Sequence, residues 1–197
     1  MESYDSKIKT VYFIRHGEAT HNVDYEEVGD SAYFAEKHRD SRLTSRGILQ
    51  ALLVKAPNVD IVFTSPLTRT LMTANLIFKY HPKVIATDII RETNYQHVCN
   101  NRQTRNELIQ KYNDIQFNEI TEEDEQFILG HDDTITRFEQ LDQLITSQSY
   151  DNIAIVSHHT FLHDYFVYKG YNKIELKNCE LVKSVYSNNK LINIERQ

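Results

Sequence analysis

A chain of 197 residues with 40% hydrophobic content can bury one substantial core, and no Pro/Gly/Ser-rich linker divides it, so a single domain spanning 1–197 is expected. The formal net charge of −6 argues against a general nucleic-acid binder, whose hold on a phosphate backbone needs a basic face. The start Met1-Glu2-Ser3-Tyr4-Asp5 lacks a basic stretch followed by an apolar one, no apolar run is long enough to span a bilayer, and Cys99 and Cys179 stand in neither metal-ligand nor redox spacing; a cytoplasmic chain without membrane association follows.

In chain order, residues 9–14 form an apolar run that predicts a buried first strand, and Arg15-His16-Gly17-Glu18 opens the loop after it. Thr44 is placed to cap a helix running to about residue 55, with Leu49, Leu52 and Leu53 on its inner side. Residues 61–64 predict a short strand, followed by Ser65 as helix cap and Pro66 at the first helical position, which puts Arg69 in the first turn. Another strand over 83–87 delivers Arg91-Glu92 to the next loop.

From 93 to 150 the pattern weakens. Helices are expected over 102–112 and 134–146, the second with an apolar stripe of Phe138, Leu141, Leu144 and Ile145. This region is expected to form a helical wall above the sheet that shapes the substrate pocket. The run Glu122-Glu123-Asp124-Glu125 is expected to be a solvated helix start, favoured by the dipole there. A strand over 152–157, a helix over 158–168 closed by Gly170, and two strands over 180–186 and 191–195 joined at Ser187-Asn188-Asn189 complete the chain. Alternating strands and helices predict a doubly wound α/β layer.

Two histidines carry the chemical signal. His16 and His158 each follow an apolar run, and in a parallel sheet the loops leaving strand ends share one crevice. Arg15 and Arg69 add guanidinium forks suited to phosphate oxygens. Arg46 is assigned to the helix surface. His159 and His163 stand four apart on a helix, but no acidic ligand lies at a supporting spacing, so no metal site is assigned.

The ordered series Arg15-His16-Gly17-Glu18 with Asn22, Leu43-Thr44-Ser45-Arg46-Gly47 with Gln50-Ala51, Ser65-Pro66-Leu67-Thr68-Arg69 with Thr73-Ala74, Arg91-Glu92 and Val156-Ser157-His158 resembles the phosphoglycerate mutase-like branch of the histidine phosphatase superfamily. The resemblance covers about 9–166, and His21-Asn22-Val23 is most similar to a plant and fungal subgroup. It implies a three-layer α/β/α sandwich, with helices on both faces of a mostly parallel sheet. It also implies that His16 is phosphorylated, that Arg15 and Arg69 bind phosphate with help from Asn22, that Glu92 donates a proton, and that His158 is the second pocket histidine. The chain departs from the pattern in two places. Cys99-Asn100-Asn101-Arg102 stands where relatives often carry a Cys-Asp-x-Arg-like element, and His159-Thr160 replace one or two glycines at the pocket edge, which makes His159 a further substrate-binding candidate.

The same roles follow from chemical need. A histidine nucleophile must be neutral, and neighbouring arginines both disfavour imidazolium and neutralise the incoming phosphoryl oxygens. A carboxyl group such as Glu92 can protonate the leaving alkoxide and then take a proton from the water that hydrolyses phosphohistidine. No metal or other cofactor is required. The expected activity is a phosphatase acting on a small phosphorylated substrate. A mutase is the alternative, disfavoured because retaining a bisphosphorylated intermediate needs a water-excluding lid that a chain without a long insertion lacks. A weakly active module that only recognises a phosphorylated ligand is the third.

Overall fold

The computed structural model describes residues 8–94, 96–125, 133–188 and 190–196. Seven strands, β1 (Ile8–Arg15), β2 (Ile61–Thr64), β3 (Val84–Thr87), β4 (Gln116–Glu119), β5 (Asn152–Ser157), β6 (Leu181–Ser187) and β7 (Lys190–Arg196), form one sheet in the order β4-β3-β2-β5-β1-β6-β7. Every pairing from β4 to β1 is parallel, while β6 and β7 run antiparallel at one side. The helices are α1 (Thr20–Val28), α2 (Ser45–Leu53), α3 (Thr68–Ile77), α4 (Arg105–Lys111), α5 (Thr134–Ser147) and α6 (His159–Tyr168). No helix among the described residues is long and apolar enough to cross a membrane.

The side-chain period of two sends alternate residues of the central strands to opposite faces. Val11, Phe13, Phe63, Ile153 and Ile155 pack with Phe138, Leu141 and Ile145 of α5 and with Phe161, Tyr165 and Phe166 of α6. Ile14, Val62, Ala154 and Val156 face the other way, onto Ala51 of α2, Leu71, Ala74 and Ile77 of α3, and Leu108 of α4. These two buried layers make the α/β/α sandwich that the resemblance implies. Each large apolar side chain so buried contributes about 1.5–3 kcal/mol, so a one-residue slip of β1 or β5 would be strongly opposed.

Four expectations need correction. Leu49, Leu52 and Leu53 are exposed, because α2 docks through Gly47 and Ala51, where its backbone must come close to the loop after β1. α3 begins at Thr68 with Leu67 as its cap residue, not at Pro66. Asp40 caps it from outside, accepting from Thr68 N at 2.8 Å and from the Thr68 hydroxyl at 2.7 Å, which leaves Ser65 free for another partner. The 93–150 region is not purely helical, since it contains β4, a largely exposed edge strand with only Phe117 buried. Asp124 is buried rather than solvated, because it pairs with Arg91 at 2.5 Å. α1 has no counterpart in the sequence reading: only His21 of it is buried, which leaves no apolar period to see.

The loop after β1 is clamped by two helices. Gly17 N donates to Thr73 Oγ1 at 3.1 Å and Glu18 N to Gln50 Oε1 at 2.8 Å. Thr44 N donates to Glu18 O at 2.9 Å, while the Thr44 hydroxyl donates to Glu18 Oε1 at 2.7 Å and accepts from Gly47 N at 3.0 Å. A Cβ on Gly47 would lie 2.1 Å from Glu18 O, a backbone atom that cannot swing away. Gly47→Ala is therefore expected to cost about 1–3 kcal/mol by overpacking and to lower the midpoint of thermal unfolding by several degrees. An unchanged melting curve would show that the loop is not held this way.

Candidate active site

β5 lies beside β1, and the register pairs Arg15 with Ser157. The next residue on each strand is a histidine, so His16 and His158 leave the sheet together. Their ring centroids are 5.2 Å apart at 61°. His16 Nδ1 lies 2.7 Å from the carbonyl of Gly17, which can only accept; Nδ1 therefore carries the hydrogen and Nε2 the lone pair. Burial, and after it the charges of Arg69 and Arg15, hold the His16 ring well below its ordinary pKa, so it is neutral. His158 is held down in the same way, by burial first and Arg69 next. Its Nε2 meets the Ser65 hydroxyl at 2.8 Å, the partner that Ser65 takes in place of capping α3.

Arg69, in the first turn of α3, is 1% exposed. It donates to Cys99 O at 2.8 Å and to Asn100 Oδ1 at 2.7 Å, and its Nε has no partner. Arg15 donates to Leu176 O at 2.9 Å, and its Nε is likewise without one. Neither guanidinium forms an ion pair among the described residues. Glu92 stands at the start of α6, where it accepts from Phe161 N at 2.9 Å, Thr160 N at 3.3 Å and Thr93 N at 3.0 Å. Asn22 is occupied within α1: its Oδ1 accepts from Ala19 N at 3.0 Å and its amide donates to His21 Nε2 at 3.1 Å. His159 opens α6, with a buried Nδ1 that has no partner.

Arg15, His16, Asn22, Arg69, Glu92 and His159 all line one cavity of about 120 Å³. His158 does not line it; fully buried, it stands behind His16. Arg46 is outside, on an exposed pair with Glu18. A hollow of about 900 Å³ beside Leu53, Pro57 and Glu180 contains none of the assigned residues. The cavity wall also includes Tyr33, His97 and Asn100, to which the sequence assigned no role. Tyr33 and His97 stack at 4.7 Å, and Asn100 donates to Thr93 O at 2.8 Å and Asn94 O at 3.1 Å. None sits in a periodic element, so only the folded loops reveal them. Buried neutral imidazoles, unpaired guanidinium groups and a carboxyl around so small a hole define a site for phosphoryl chemistry.

The profile of the histidine phosphatase superfamily (branch 1) matches residues 11–193, and the chain belongs to that superfamily, among phosphatase and phosphotransfer enzymes. A phosphoglycerate mutase-like protein of Arabidopsis thaliana is 26% identical over 230 residues, covering 89% of this chain and 83% of that one. Among solved structures, the phosphoglycerate mutase from Bacillus anthracis str. Sterne superposes with a TM-score of 0.65 at 17% identity, over 98% of this chain and 94% of the other. A putative alpha-ribazole-5'-P phosphatase from Escherichia coli str. K-12 substr. MG1655 gives 0.62 at 21% identity, over 96% and 94%. The likeness to these two structures is one of fold.

Burial of neutral rings links folding to pH. Burial, then neighbouring cations, also depresses His21, to about 2. Below about pH 6.5 the unfolded rings of His16, His21 and His158 bind protons and the folded ones do not, so stability falls as pH falls, by up to about 1.4 kcal/mol per ring per pH unit. Thermal unfolding between pH 7.5 and 5.5 is expected to show a steadily lower midpoint toward acid. A midpoint that rises toward pH 5.5 would mean that these rings are charged in the native state.

Proposed function

We propose that this protein is a cytoplasmic, single-domain phosphatase that hydrolyses a small phosphomonoester through a phosphohistidine on His16. The observation that carries the proposal is a neutral His16 whose Nδ1–H is tied to Gly17 O and whose ring lines a cavity of about 120 Å³ together with Arg15, Arg69 and Glu92. The free Cys99 and Cys179 support the compartment, and the negative net charge supports a small-molecule substrate over nucleic acid.

In the first half-reaction His16 Nε2 attacks phosphorus, the ester P–O bond breaks, and the leaving oxygen takes the proton of the Glu92 carboxyl. Arg15 and Arg69 spread the charge of the transferring group, with Asn22 and His159 at its margin. In the second half-reaction water attacks phosphorus, Glu92 takes the water's proton, and the P–N bond breaks, returning His16 neutral. His158 packs edge-on against the nucleophile and, held through Nε2 by the Ser65 hydroxyl, backs its ring. Hydrolysis is favoured over mutase transfer because the chain carries no long insertion to close over the site and keep water from the phosphohistidine.

His16→Ala is expected to lower 4-nitrophenyl phosphate turnover by at least a thousandfold with an unchanged circular dichroism spectrum. Brief exposure of the native chain to labelled substrate should yield an acid-labile, base-stable phosphoprotein. Activity kept in the variant, or no such label, would reject the nucleophile. Glu92→Gln should slow alkyl phosphates about a hundredfold more than 4-nitrophenyl phosphate, since only the poor leaving group needs the proton. Equal losses on both would remove its acid role.

A further inference from the structure

The phosphoryl cavity is not isolated. A groove of about 620 Å³ shares Asn94 and Thr160 with it and runs between α5 and α6. Thr160 is one of the residues whose backbone N–H holds Glu92, so the groove starts beside the group that would protonate the leaving oxygen. Its walls are Ile135 and Phe138 from α5 and Val167 and Tyr168 from α6. Ile135, Val167 and Tyr168 are 54%, 41% and 43% exposed, a degree of apolar exposure that a functional groove explains better than a core does. Among its described lining residues the acidic side chain is Asp164, whose Oδ1 lies 2.9 Å from His163 Nδ1, and no lysine or arginine is present. The Thr93 hydroxyl, on a residue 6% exposed that also lines the groove, has no hydrogen-bond partner.

We infer that this groove is the leaving-group subsite and that it selects phosphomonoesters of apolar, uncharged alcohols or phenols. An occupant that continues from the phosphoryl cavity meets apolar side chains and one carboxyl, that of Asp164. A phosphoglycerate or bisphosphate brings a second anionic group and meets no lysine or arginine among the described lining residues, a desolvation cost without compensation. The selectivity therefore has an attractive part and a repulsive one. The inference rests on the proposed phosphoryl site but extends to a part of the surface that the chemistry itself does not need.

The test compares kcat/KM for 1-naphthyl phosphate, methyl phosphate and 3-phosphoglycerate on the full chain. Naphthyl phosphate is expected to exceed 3-phosphoglycerate by at least a hundredfold. Val167→Asp should lower the naphthyl-to-methyl ratio about tenfold, and Val167→Lys should raise the 3-phosphoglycerate-to-methyl ratio by a similar factor. Ratios that stay fixed in both variants overturn the subsite, even while a phosphohistidine still forms and the proposed chemistry stands. Should no ester turn over, calorimetric Kd values for naphthyl phosphate and inorganic phosphate carry the same comparison, and equal values overturn it.

Discussion

Two guanidinium groups held inside the protein without a carboxylate partner are the constraint around which this site is arranged. Arg15 and Arg69 give some of their donors to the carbonyls of Leu176 and Cys99 and to the amide oxygen of Asn100, all neutral acceptors. A buried cation compensated only by neutral dipoles carries a residual desolvation cost of several kcal/mol. An anion entering the adjacent cavity would offset that cost, so the site is arranged to receive one. Arg91 and Arg102 show the contrast. Both are buried like Arg69, but Arg91 holds Asp124 with two donors and Arg102 reaches Asp88 and the carbonyls of Thr121 and Glu123. Their charge is compensated by these carboxylates, which tie the 121–124 segment to the loop after β3.

Burial, with the charge of Arg69 next, sets the state of the imidazoles. His16, His21 and His158 lie close enough to Arg69 for its charge to add to the effect of burial, and all three stay neutral. A neutral ring with its Nδ1–H fixed by Gly17 O is a nucleophile without any further activating base. The arrangement sacrifices stability in acid to keep these rings neutral, and Glu92 is the carboxyl among the described residues that line the cavity.

What the sequence made legible follows from which forces leave a local trace. Continuous apolar runs announce buried parallel strands, so the ends of β1 and β5, and the histidines just beyond them, could be placed before any coordinates. Arg69 was legible for a similar reason, since it falls in the first turn of a helix even though that helix starts two residues later than its Ser65-Pro66 signal implied. The errors lie where a contact from elsewhere in the chain decides the outcome. Asp40 caps α3 from a distant loop, the leucines of α2 yield the inner face to Gly47 and Ala51, and Arg91 draws Asp124 out of an acidic run. Tyr33, His97 and Asn100 come from loops without periodicity, and a wall assembled from such loops has no one-dimensional signature.

Asn100 shows how the departure from the family pattern bears on the chemistry. The Cys-Asp-x-Arg-like element of relatives would put a carboxylate at this position, against Arg69, and so neutralise the charge that the cavity offers. The amide does two things a carboxylate cannot. Its oxygen accepts from Arg69 without cancelling the cation, and its nitrogen donates to the carbonyls of Thr93 and Asn94. Those carbonyls belong to the turn just after Glu92, where Asn94 adopts a left-handed conformation at φ 60° that asparagine tolerates better than most residues. One side chain thus bridges Arg69 and the turn that follows Glu92. It also fixes the mouth of the groove, since Asn94 lines both cavities. Exchanging a carboxylate for an amide here leaves the charge of Arg69 uncancelled while keeping the turn after Glu92 in register.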